Sequence, residues 1–64
     1  MSDTYTVTGM TCEHCVASVT EEVTALRGVT DVTVDLATGT LTVDGQATED
    51  AVRGAVEEAG YRLA

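Results

Sequence analysis

The chain has 64 residues, with eleven acidic side chains, three arginines and no lysine, for a formal net charge of −8 at pH 7. A chain of this length buries only about 60% of the surface its unfolded form exposes, so residues 1–64 make one small domain with no cleft between lobes, which weighs against a self-sufficient enzyme. The acidic surface repels nucleic acid and anionic membranes, since phosphate binding needs a basic patch, and Tyr5 and Tyr61 alone cannot build a base-stacking platform.

The N-terminal MSDTYTVTG has neither a basic n-region nor an apolar h-region. No apolar run is long enough to insert in a membrane. A cytoplasmic location follows as an expectation. Asp3 to Thr8 alternates polar and apolar residues, with Tyr5 and Val7 on one face, and reads as a short strand ended by Gly9. From Glu13 to Arg27 the apolar residues Val16, Val19, Val23 and Leu26 recur at helical spacing, one stripe of an amphipathic helix. Thr11 is its expected N-cap, and Arg27 followed by Gly28 suits its C-terminus.

Val32, Val34 and Leu36 then alternate with polar residues in a second strand. The turn Ala37-Thr38-Gly39 leads to a third strand through Leu41 and Val43, and the two form a hairpin. Thr48 before Glu49 and Asp50 is an N-cap followed by first-turn acids. Val52, Ala55, Val56 and Ala59 form the buried stripe of the second helix, which Gly60 ends. Gly54, inside that helix, costs about 1 kcal/mol relative to Ala and suggests close packing on a neighbour. Tyr61 to Ala64 is the fourth strand.

Strand, helix, strand, strand, helix, strand is the order of an α+β ferredoxin-like βαββαβ sandwich, with four antiparallel strands and two helices on one face. In that topology the end of the second helix, at Gly60-Tyr61, returns to the edge of the sheet that carries the first loop. That loop, GMTCEHC from Gly9 to Cys15, holds both cysteines and the only histidine.

Cys12 and Cys15 stand at i and i+3, so both thiols can meet on one face of the helix entrance. The unpaired N–H groups there favour thiolates, with pKa values lowered from about 8.5 to roughly 3.5–7.5. In a reducing compartment such a pair binds metal or exchanges electrons, and lowered pKa serves both. A thioredoxin-like protein needs a longer chain and completes its site with a cis-proline, whereas this chain has no proline. A structural zinc site needs four ligands. Here His14 is the only further nitrogen donor, and its place between the cysteines turns its ring away. Two thiolates on an exposed loop suit a soft ion such as Cu(I), which is content with two near-linear ligands and leaves room for a third from a partner.

GMTCEHC followed by VASV, then LRGV, VTVDL and VEEAGY, resembles the heavy-metal-associated domain family from Val7 to Tyr61, and within it the small bacterial copper chaperones. The resemblance implies Cu(I) held by Cys12 and Cys15 and delivered to the metal-binding domain of a copper-exporting P-type ATPase. Zinc- and cadmium-handling relatives often carry Asp where this chain has Thr11, and mercury-binding relatives are usually exported. Both points favour copper, although Glu13 adds a carboxylate beside the site.

Met10 is expected under the loop as packing. His14 is expected as an exposed neighbour that tunes the thiols, and Tyr61 as an aromatic that shields them or hydrogen-bonds near a thiolate. An exposed pair also admits a copper-bridged homodimer. Two alternatives remain: thiol–disulfide exchange, and a regulatory copper, mercury or zinc module of a metal transporter.

Overall fold

The computed structural model describes residues 2–64. Strand β1 (Ser2–Thr8) begins one residue earlier than the alternation of its side chains requires. Val7 is buried and Tyr5 half-buried, while Thr4, Thr6 and Thr8 face solvent. Helix α1 spans Glu13–Thr24 and is shorter than its apolar stripe predicts. Its N-cap is Cys12, not Thr11: Cys12 is extended (φ −156°, ψ 173°), and its carbonyl accepts from the Cys15 and Val16 N–H groups at 3.1 and 3.4 Å. At the other end the Leu26 N–H bonds the Val23 carbonyl, three residues back, so the chain tightens into a turn before Arg27. Leu26 nevertheless packs on the core from that turn, which is why the stripe runs past the helix.

Strands β2 (Val29–Asp35) and β3 (Thr40–Gly45) pair antiparallel, with Val32 opposite Val43 and Val34 opposite Leu41. Leu36 falls outside β2. The Asp35 carboxylate accepts the Ala37 N–H at 3.0 Å, and this Asx turn takes the chain out of the ladder one residue early. Helix α2 (Glu49–Glu58) is capped as expected: Thr48 Oγ1 accepts the Ala51 N–H at 3.2 Å. Gly54 is exposed, and a Cβ added there would meet nothing within 4 Å, so close packing does not explain it. Strand β4 is only Arg62–Leu63, shorter than the expected Tyr61–Ala64. It pairs with Thr8 and Val7 of β1, and the Ala64 N–H adds a bond to the Thr6 carbonyl at 2.8 Å.

The sheet order is β2-β3-β1-β4, fully antiparallel, with both helices packed on one face in the ferredoxin-like arrangement. Val7, Val19, Val23, Leu41, Val43, Val52, Ala55 and Val56 form the core, which contains no aromatic ring. Among the described residues, no helix is long and apolar enough to cross a membrane.

Candidate metal centre

The loop between β1 and α1 is shaped by a glycine at one end and a helix cap at the other. Gly9 adopts φ +93°, a left-handed conformation that L side chains rarely take, and this turns the chain away from the sheet. Met10 then tucks half-buried against the core and anchors the loop from beneath. Thr11 and Cys12 are left exposed, and Cys15 is half-buried in the first turn of α1.

Both cysteines are free, with their Sγ atoms 3.6 Å apart. That is too long for a disulfide, whose sulfurs lie about 2.05 Å apart, and close enough for both to meet one ion. The Cys15 thiol is lowered from the ordinary 9.0 to about 6. The largest cause is the Thr11 backbone N–H, followed by the Tyr61 side chain and then the Cys12 backbone N–H, all of which favour the thiolate. Thr11 therefore serves the site chiefly through its main chain, while its Oγ1 lies 3.9 Å from Cys15 Sγ.

Tyr61 arrives from the far end of the sequence through the way α2 ends. Gly60 takes φ +94°, its N–H bonds the Glu57 carbonyl at 3.0 Å, and the Tyr61 N–H reaches back to Val56 at 3.0 Å. This pair of bonds is a Schellman motif, with Gly60 at the left-handed position and Tyr61 directly after it. The Tyr61 ring then lies against Gly9. Its phenol is raised above its usual value, first by the hydrogen bond to Cys15, then by burial and by the charges of Cys15 and Cys12.

The structure thus brings Thr11, Cys12, Cys15 and Tyr61 together and sets Met10 below them. His14 is exposed and makes no hydrogen bond to either sulfur among the described residues. Sequence reasoning missed the Thr11 N–H as a donor and Gly9 as the seat of Tyr61. A main-chain donor has no residue signature, but a glycine closing a strand beside a cysteine loop was a usable signal. Among the described residues, no three or more His, Cys, Asp or Glu side chains are grouped so as to hold a metal ion.

Fold and loop define a small α+β domain that presents a free cysteine pair, its Cys15 thiol lowered, at a helix N-terminus. The chain belongs to the heavy-metal-associated domain family, which it matches over residues 4–62. It is 43% identical over 63 residues to Copper-transporting ATPase 2 of Rhizobium meliloti (strain 1021), covering 95% of this chain but 8% of that protein. It is 39% identical over 64 residues to Copper chaperone CopZ of Bacillus subtilis (strain 168), covering 95% of this chain and 93% of that one. Among solved structures, a CopZ metallochaperone superposes with a TM-score of 0.95 at 27% identity over 100% of both chains.

Proposed function

We propose that this domain is a Cu(I) carrier, in which Cys12 and Cys15 hold the ion as a thiolate pair and release it by ligand exchange to the metal-binding domain of a copper-exporting P-type ATPase. The observation that carries this reading is the free sulfur pair, 3.6 Å apart on an exposed loop, with the Cys15 thiol lowered to about 6. At neutral pH one ligand is already a thiolate, and thiolates select soft ions.

Two metal–sulfur bonds of about 2.3 Å reach about 4.6 Å when collinear. The pair closes on an ion in near-linear geometry by opening roughly 1 Å, a movement available to the exposed Cys12 side chain. An incoming thiolate from the partner adds as a third ligand. The Cys12–copper bond breaks first, because that side chain is the freer one, and the Cys15–copper bond breaks as a second thiolate of the partner takes its place. Copper stays Cu(I) throughout and is never released as a free ion. The Thr11 N–H and the Tyr61 hydroxyl stabilise the Cys15 thiolate left behind. Met10 keeps the loop in place, and His14 is an exposed neighbour of the pair rather than a ligand. Thr11 offers no carboxylate to a harder divalent ion.

The similarity to a stretch of a copper-transporting ATPase supports the choice of partner, since donor and acceptor sites of one design exchange a ligand with little rearrangement. The same observation favours a second reading, in which the domain is the metal-binding module of such a transporter. The exposed loop also lets two copies pool four thiolates in a copper-bridged homodimer. The carrier reading places the protein in the reducing cytosol, in solution, with no chemical turnover.

Anaerobic Cu(I) titration against a competing chelator, read by native mass spectrometry, tests this. A 1:1 complex that is lost in Cys12→Ser and in Cys15→Ser is expected, with a bridged dimer at intermediate loading. Preference for Zn(II) at equal competition overturns the copper assignment. Rapid insulin reduction would reassign the pair to thiol–disulfide exchange.

A further inference from the structure

The carboxylates are not arranged as a neutralised surface. Every one except Asp44 is exposed, and Asp44 is half-buried. Among the described residues the only ion pair is Arg53 to Glu49, at 3.1 Å. Two features place negative charge where it opposes the fold. In the β2–β3 register Asp31 stands directly opposite Asp44, and like charges facing each other across strands are destabilising. Each helix also ends on acids: Glu21 and Glu22 lie in the last turn of α1, and Glu57 and Glu58 in the last turn of α2. Neither last turn carries a base. The C-terminal end of a helix is the negative end of its dipole, so these four carboxylates sit where a cation would be favourable.

Against this repulsion stands a buried core of six valines, one leucine and one alanine, with ten partly buried apolar side chains packed around it. The body measures only 27 × 19 × 19 Å. At about 0.1 M salt the screening length is about 10 Å, so carboxylates on neighbouring elements all repel one another. At about 1 M it falls to about 3 Å, and only immediate neighbours do. A net charge this far from zero on so small a body works against compactness until it is screened.

We propose that the fold is salt-dependent: the folded population rises with ionic strength, and the domain is built for a solution of roughly molar monovalent salt. The device is the set of opposed carboxylates, chiefly Asp31 against Asp44 and the acids at the two helix ends. This inference does not depend on which metal the sulfurs bind.

Urea denaturation, followed by far-ultraviolet circular dichroism in KCl from about 0.1 to about 2 M, tests it, because urea is uncharged and leaves the screening to the salt. The folding equilibrium constant at fixed urea should rise by at least about tenfold across that range. A second chain carrying Asp31→Asn, Glu57→Gln and Glu58→Gln, all exposed positions, separates screening from the general salting-out of apolar surface. That variant should be the more stable at low salt, rise less steeply, and converge with the parent at high salt. A parent whose stability does not change with KCl overturns the proposal. So does a variant whose stability rises in parallel with the parent's.

Discussion

Tyr61 lies against Gly9: a Cβ built on that glycine would sit 3.5 Å from Tyr61 Cδ1. The contact joins the two ends of the sequence at the sulfur loop and directs the phenol toward Cys15. Its hydroxyl is the second-largest influence that lowers the Cys15 thiol, after the Thr11 backbone N–H. Tyr61→Phe keeps the ring on Gly9 and removes only the hydroxyl. The Cys15 pKa should therefore move up from about 6 but stop short of the ordinary 9.0, because the Thr11 and Cys12 N–H groups remain. Thiolate absorbance against pH in the apo-protein measures this, with Cys12→Ser as the background. An unchanged curve in Tyr61→Phe would remove Tyr61 from the site's electrostatics.

The lowered thiol links stability to pH. Cys15 titrates at about 6 in the folded chain and at the ordinary 9.0 when unfolded, so between those values the unfolded state holds more protons. The contribution is fully present above about 9, shrinks as the pH falls through the interval, and is gone below about 6. Apo-protein stability should rise with pH across this window, and Cys15→Ser should lose that part of the slope. Urea midpoints at several pH values under reducing conditions, in constant high salt, give the comparison.

Leu41 is fully buried at the centre of β3, opposite Tyr5 on one side and Val34 on the other. Leu41→Ala removes the largest fully buried side chain from a core whose other fully buried members are all valines. Losses of about 2–5 kcal/mol are typical of such truncations. Against a total stability of roughly 5–15 kcal/mol for small domains, that is a large share of the whole, and a larger one at low salt. Equilibrium denaturation compared with the parent chain checks this. A loss below about 1 kcal/mol would mean that the sheet repacks around the cavity.

The fold was legible because its signals are periodic. Val19 and Val23, Leu41 and Val43, and Val52 with Val56 are the positions the patterns select, and all are buried. The errors arose where a local bond interrupts a pattern that side chains continue. Leu26 extends the stripe of α1 from a turn, and the Asp35 carboxylate takes the Ala37 N–H before Leu36 can join the ladder. N-cap preference likewise pointed to Thr11, but the extended backbone that starts α1 belongs to Cys12. At the candidate site, the cysteine pair was visible from spacing and Tyr61 from topology. The donation by the Thr11 N–H was not, because every residue except proline carries that group.

Gly54 and Gly60 separate space from conformation. A Cβ at either position would meet nothing within 4 Å. Gly54 has ordinary helical geometry inside α2, so Gly54→Ala should stabilise the domain by about 1 kcal/mol. For a chain of this size that corresponds to a melting temperature higher by roughly 4–8 °C. Gly60 has φ +94°, and Gly60→Ala should instead destabilise by about 1–2 kcal/mol. The second substitution should also loosen the turn that delivers Tyr61, so the Cys15 thiol should titrate higher in Gly60→Ala and stay at about 6 in Gly54→Ala. Thermal melts and thiolate titrations on the two variants read both consequences. Equal effects of the two alanines would show that the left-handed turn after α2 does not hold Tyr61 in place.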